Sequence, residues 1–156
     1  MRYLTLKSLH VLGVVLFLGN IITGVFWKRH ADRSGDLQVR AQVLGGIIRS
    51  DQLFTLPTVV VIIVTGVLNA MLVHLPILGT PWIGAGLALF LLAGLVFAFK
   101  VGPLQKKLLA NVEAGLSGNW DRAGYEQLSR DWLRWGNLAT ALPLIVVFLM
   151  VFKPTF

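Results

Sequence analysis

The sequence predicts an all-α membrane protein, a bundle of four transmembrane helices. The chain is strongly apolar, with 56% hydrophobic and 13% charged residues and a mean hydropathy of +0.75. An average soluble domain carries about 25% charged residues. Four apolar runs are each long enough to cross about 30 Å of hydrocarbon. The predicted spans are residues 4–27, 53–73, 82–99 and 135–152.

Each apolar run is expected to be a helix, because backbone amides in lipid must be paired within the segment that carries them. The first run has the length of a full span and lacks an A-x-A cleavage pattern, so it is expected to remain in the protein rather than to act as a secretory signal. The 156 residues are expected to form a single membrane domain, residues 1–156.

The basic residues predict how the helices are oriented. Five of the 14 lie in the first connection, six lie in the third, and the second connection has none. They are Lys28, Arg29, Arg33, Arg40 and Arg49, then Lys100, Lys106, Lys107, Arg122, Arg130 and Arg134. The positive-inside rule therefore places both connections in the cytoplasm and both termini outside. The net charge of +7 is interpreted as topological, and no nucleic-acid partner is expected.

The third connection is predicted to contain an amphipathic helix on the inner leaflet, because Leu104, Leu108 and Val112 recur at helical spacing beside lysines. A further helix, capped by Asn119, is expected to carry one apolar stripe into the last span. That stripe comprises Tyr125, Leu128, Trp132 and Trp135. Trp120, Trp132 and Trp135 are expected to mark the inner membrane interface.

Polar residues inside the apolar runs mark the faces that look into the bundle. On the first helix, His10, Gly13 and Asn20 fall within about 80° of one another at about 100° per residue. The second helix has a polar face of its own, made of Asp51, Thr55, Thr58, Thr65 and Asn69. The third helix has no such face and is expected to supply no ligand.

Two of these residues allow more than one role. His10 is either a hydrogen-bonded packing residue, or an axial haem ligand or proton relay. Asp51 either caps its helix or pairs with a cytoplasmic arginine, or it relays protons. Asn20 and Asn137 are expected to hydrogen-bond across the first and fourth helices.

Several functions are excluded. The chain has no cysteine, so disulfides, thiolate metal sites and cysteine nucleophiles are absent. It has no phosphate-binding glycine loop, nucleophile elbow or H-E-x-x-H motif, which argues against a kinase or hydrolase.

Motifs along the whole chain resemble a bacterial integral-membrane family, the domain of unknown function 2269. They are Leu6–Gly13 (LKSLHVLG), Phe17–Asn20 (FLGN), Phe26–Lys28 (FWK), Ala31–Asp36 (ADRSGD), Asp51–Pro57 (DQLFTLP), Leu142-Pro143 and Met150–Pro154 (MVFKP). The resemblance implies a bacterial cytoplasmic (inner) membrane location.

The opening motif is also distantly similar to HemJ-type protoporphyrinogen oxidases and CopD-like copper-resistance membrane proteins. That likeness implies haem b bound through His10, either five-coordinate or completed by a ligand such as Met71. HemJ-type proteins begin their third helix with a Trp-x-His-Ala-Lys pattern, whereas this chain has Trp82–Gly86 (WIGAG). Because the lysine is missing, oxidation of protoporphyrinogen is not implied.

Three functions follow as hypotheses. The first is a small redox protein that holds a b-type haem or related porphyrin at His10, its metal ligand, with Gly13, Asn20 and Asn69 completing the cofactor site. The second is a non-catalytic subunit that packs against itself or a membrane partner through its third helix or basic hairpin. The third is a small carrier or ion-conducting oligomer lined by the polar face that contains Asp51.

Overall fold

The computed structural model describes residues 1–77 and 79–154 and contains four long helices. They are α1 (Arg2–Ser34), α2 (Leu37–Leu72), α3 (Pro81–Leu116) and α4 (Arg122–Phe152). All four are long and apolar enough to cross a membrane, and no strand occurs in the described part of the chain. The four-helix prediction is confirmed.

The helices are longer than the predicted spans, and nearly all of the extra length lies on the basic side. The extensions are residues 28–34, 37–52, 100–116 and 122–134. At 1.5 Å per residue, a helix of 36 residues is about 54 Å long, so α2 and α3 project well beyond about 30 Å of hydrocarbon. The four extensions form what we call the basic end of the bundle.

Short turns with capping residues separate the helices at the basic end. Gly35 adopts a left-handed conformation (φ +72°) after α1, and Asp36 caps α2 by accepting a 2.7 Å hydrogen bond from the Gln38 amide. Asp121 caps α4 through the Gly124 amide at 2.9 Å. The cap expected at Asn119 is therefore two residues too early, and a carboxylate provides it.

A buried hydrophobic core cluster lies in the basic half of the bundle. α1 packs along residues 56–72 of α2, and residues 81–96 of α3 pack along α4. The two helix pairs are joined where residues 37–50 of α2 meet residues 102–116 of α3. The buried core there consists of Leu44, Val101, Leu108, Val112, Tyr125, Trp132 and Ala139.

This core changes the interpretation of the third connection. Residues 102–116 continue α3 instead of forming a separate helix on a membrane surface, and Leu108 and Val112 are fully buried. Their helical periodicity is the same for either arrangement, because an apolar stripe can bury against lipid or against protein. The stripe from Tyr125 to Trp135 is confirmed, but Trp132 lies in the core and not at an interface.

The second and third helices, α2 and α3, each contain one turn of π-helix. In α2 the π turn spans Asp51–Thr55, and in α3 it spans Phe97–Val101. Each ends two residues before a proline, Pro57 or Pro103. Proline has no amide hydrogen to donate, and its ring crowds the carbonyl four residues earlier, so the preceding turn widens. Such single π turns are frequent at functional sites.

Candidate functional site

A buried carboxylate stands where the four helices come together. Asp51 is 8% exposed and accepts hydrogen bonds from three neutral donors. Asn20 of α1 donates from Nδ2 to Oδ1 at 3.2 Å, and Gln105 of α3 donates from Nε2 to Oδ2 at 3.0 Å. The Thr55 hydroxyl, one turn along α2, donates to Oδ1 at 2.8 Å. The group therefore ties α1, α2 and α3 together at a single side chain.

The partners of Asp51 are themselves held in place. Asn20 also donates from Nδ2 to the Thr55 hydroxyl oxygen at 2.8 Å, and its Oδ1 accepts from the Ser50 hydroxyl at 2.7 Å. Thr55 and Gln105 are 3% and 4% exposed. These five residues, Asn20, Ser50, Asp51, Thr55 and Gln105, form what we call the Asp51 cluster.

No basic side chain offsets the charge of Asp51. Within residues 1–77 and 79–154, no Lys, Arg or His nitrogen lies within 4.0 Å of its carboxylate. The pairing with a cytoplasmic arginine that the sequence suggested is therefore wrong. A buried carboxylate without a cation is costly unless it is well solvated by dipoles or takes up a proton.

His10 occupies a second polar position nearer the other end of α1. Its Nδ1 lies 3.0 Å from the Ile62 carbonyl oxygen and 3.1 Å from Thr65 Oγ1. A carbonyl can only accept, so Nδ1 carries the proton and Nε2 keeps its lone pair in the neutral ring. A metal-binding histidine is oriented by the same kind of bond from its other nitrogen.

The surroundings of His10 are closely packed. A Cβ atom at Gly13 would lie 3.1 Å from Cγ1 of Ile62, and one at Gly66 would lie 3.2 Å from Cε1 of His10. Ile62 thus fills the space beside Gly13, and the imidazole lies directly on the α2 backbone. Contacts this close at Gly13 and Gly66 argue against a haem macrocycle lying between α1 and α2 at these positions.

The other residues expected at a cofactor site lie apart. Asn69 is on α2 one turn beyond Thr65, and its Oδ1 is buried without a hydrogen-bond partner among the described residues. Met71 is exposed. Asn20 belongs to the Asp51 cluster, on the α1 face predicted for it. No group of three or more His, Asp or Glu side chains in the described residues is arranged to hold a metal ion.

Comparison with protein families identifies the family of this chain. Residues 4–154 match the family described as "Predicted integral membrane protein (DUF2269)". The chain belongs to this family. No curated protein and no solved structure matches the chain, so the likeness to HemJ-type and CopD-like proteins stays a prediction.

A second buried charge in this family member lies at the basic end. Lys28 is 1% exposed, and its Nζ donates to Asp32 Oδ2 and to the Ser129 hydroxyl, both at 2.6 Å. The Tyr125 and Trp132 rings flank the ammonium, with centroids 5.4 and 5.5 Å from Nζ. Paired with a carboxylate and faced by two rings, this charge is compensated.

Asp32 links Lys28 to two further residues. The Tyr125 hydroxyl donates to Asp32 Oδ1 at 2.5 Å, and Arg40 Nη2 donates to the Asp32 carbonyl oxygen at 2.9 Å. Burial and the neighbouring Asp32 carboxylate raise the pKa of the Tyr125 phenol, which lies outside the apolar spans. The phenol therefore keeps its proton and remains a donor at neutral pH.

Sequence reasoning missed two parts of these sites. The sequence predicts a surface helix over the stretch that contains Gln105, and it gives Lys28 only a topological role. The expected pair of Asn20 and Asn137 is wrong, because Asn137 is exposed and Asn20 bonds to α2. Gln105 shares a helix face with the apolar residues Val101 and Leu108. This position on an apolar face is the sequence feature that indicates an inward-facing side chain.

Proposed function

We propose that this integral membrane protein is a proton carrier in which Asp51 takes up and releases the transported proton. The observation that carries the proposal is a carboxylate 8% exposed where the two helix pairs join, with three neutral donors and no basic partner among the described residues. A buried carboxylate without a counter-ion is costly, and it is a functional candidate for that reason.

The geometry favours a proton over a larger ion. The side chains around Asp51 present hydrogen-bond donors to it: the Asn20 and Gln105 amides and the Thr55 hydroxyl. Donors repel a metal cation, whereas a proton needs only the carboxylate. Proton uptake neutralises the charge that burial makes costly.

The conformation favours a carrier over an open pore. The polar face of α2 continues beyond the Asp51 cluster through Thr58 to Thr65 and its neighbour His10. Between Thr58 and Thr65, the buried Ile62 packs against Gly13. This apolar contact separates the two polar positions, so conduction requires a change in helix packing, for which the π turns before Pro57 and Pro103 are candidate hinges.

Proton flux into liposomes tests the proposal. Purified protein is reconstituted with an internal pH-sensitive dye, and a potassium diffusion potential drives uptake. Asp51→Asn keeps the shape of the side chain but removes the titrating group, and we expect flux to fall on the order of a hundredfold, the scale on which positioned proton-transfer groups act. Glu113→Gln, at an exposed site on α3, is the matched control and should keep the wild-type rate.

Equal flux in Asp51→Asn and wild type, with both variants folded, would refute the proposal. So would wild-type flux no greater than that of protein-free liposomes.

Orientation and assembly belong to the same proposal. We place the basic end in the cytoplasm of a bacterial inner membrane, on the positive-inside rule. We also expect an oligomer, because four helices make a narrow bundle.

Single cysteines test the orientation, because the chain has no cysteine of its own. His74→Cys should react with an impermeant maleimide in intact cells, and Ser117→Cys only after lysis. Intact-cell labelling of Ser117→Cys would reverse the orientation.

Haem binding at His10 is the second candidate. The hydrogen bond from Nδ1 to the Ile62 carbonyl favours it, because this bond leaves the Nε2 lone pair free for iron. A haem would supply one-electron redox chemistry. Against it stands the close packing of Gly13 and Gly66 between α1 and α2.

Absorption spectra test whether His10 binds haem. Wild type and His10→Ala, each loaded with excess haem in detergent, are compared oxidised and reduced. Haem binding through His10 predicts a Soret band in the wild type that His10→Ala loses. Featureless spectra from both proteins would leave His10 as a packing residue.

A further inference from the structure

A small cavity adjoins the Asp51 cluster between all four helices. Its volume is about 30 Å³, and its lining includes Asn20, Asp51, Gln105, Trp132, Gly136 and Thr140. About 10–15 Å³ of space open to the centre of a water-sized sphere is enough to hold one water molecule. The cavity therefore has room for one or two waters and for no organic ligand.

One polar atom of the lining has no partner. Trp132 is 3% exposed, and its indole Nε1 is buried without an acceptor among the described residues. Indole nitrogen can only donate, and buried donors in folded proteins nearly always find an acceptor. Trp132 is one of the residues that line the cavity, so the cavity is the nearest described space in which an acceptor for this N–H could be sought.

Gly136 explains why the cavity is open. This glycine is buried inside α4, yet a Cβ added to it would meet no atom within 4 Å. A buried helix position normally carries a side chain that fills the space it faces. Here the missing side chain leaves space, which borders the Asp51 cluster on one side and apolar side chains such as Ile47 and Phe97 on another.

We propose that this cavity is an internal water site that hydrates Asp51. A water there accepts a hydrogen bond from Trp132 Nε1 and has two acceptors for its own hydrogens, the Asp51 carboxylate and Thr140 Oγ1. The Thr140 hydroxyl hydrogen is already used on the Gly136 carbonyl at 2.8 Å, so its oxygen is free to accept. Three partners are the usual number for a buried water.

The water site deepens the proposed proton carrier and rests on it for its function. Hydration lowers the cost of charge on Asp51, which allows the carboxylate to release its proton inside the bundle. A cation is the wrong occupant, because the indole N–H and the Gln105 amide would present positive dipoles to it. Water has both the acceptor and the donors that these side chains need.

Nuclear magnetic resonance detects such a water directly. The protein is labelled with ¹⁵N-indole tryptophan in lipid nanodiscs, and Trp132→Phe identifies the Trp132 signal among the five tryptophans. We expect magnetisation transfer between water and the Trp132 indole hydrogen in the wild type. Gly136→Ala puts a methyl into the cavity and should abolish the transfer. Gly94→Ala, at an exposed α3 position with equal space, is the control and should keep it.

A second variant provides the same test if Gly136→Ala disturbs the fold. Thr140→Val replaces one acceptor with a methyl of similar size and should also abolish the transfer. Absence of transfer in the folded wild type would overturn the water site, and so would undiminished transfer in both variants. Liposome flux is a separate readout: if transfer is seen and Asp51→Asn still conducts, the water site stands and the proton role of Asp51 fails.

Discussion

At the scale of single residues, the two buried charged side chains, Lys28 and Asp51, have opposite kinds of surroundings. Lys28 is paired with Asp32 and flanked by two aromatic rings, whereas the described residues offer Asp51 neutral donors and no cation. A charge with a counter-ion is locked in its ionised state, and removing the partner is costly. A charge without one can be neutralised by a proton. The first arrangement suits structure and the second suits proton exchange.

Lys28→Met tests the structural half of this contrast. Methionine retains an apolar stem but leaves Asp32 without its ammonium partner, so we expect a loss of about 3 kcal/mol in the free energy of unfolding, the low end for a broken buried pair. The loss is measured by denaturation in mixed detergent micelles. Arg29→Met, at the neighbouring exposed position, should be close to wild type. Equal stabilities for the two variants would show that the Lys28–Asp32 pair contributes little.

At the scale of helices, the apolar runs predict four spans well but not how far each helix extends. A helix needs about 20 apolar residues to cross the hydrocarbon core, and this requirement does not apply to the part of the helix beyond the headgroups. Beyond them, α2 and α3 continue as helices because they pack against each other, as Leu44 and Leu108 show. The amphipathic pattern of residues 102–116 therefore predicts a helix on a membrane surface, because the pattern does not specify what covers its apolar side.

The same limit applies to the candidate site. Helical periodicity correctly placed Asn20 and Asp51 on inward faces, because polar groups avoid lipid. It did not pair them, since pairing depends on the rotation and depth at which α1 meets α2. Gln105 was missed because its helix was expected outside the bundle. Trp132 was assigned to an interface on residue type alone, although it is buried beside Lys28.

At the scale of the whole molecule, the two helix pairs meet most closely at the basic end. The Asp51 cluster lies at this junction and takes one hydrogen-bonding side chain each from α1 and α3. A change in the charge of Asp51 therefore acts on both pairs together. The π turns of α2 and α3 border the same cavity, through Asp51, Phe97 and Val101. A proton bound here is placed to change how the pairs pack.

Infrared difference spectroscopy tests most directly whether Asp51 takes up and releases a proton. Wild type and Asp51→Asn are compared in lipid membranes, with ¹³C-aspartate labelling to identify the carboxyl bands, while the pH is stepped. The account predicts an aspartic carboxyl band that appears and disappears with pH in the wild type and is missing from Asp51→Asn. Identical carboxyl spectra from the two proteins across the pH range would contradict it, because Asp51 would then keep one charge state throughout.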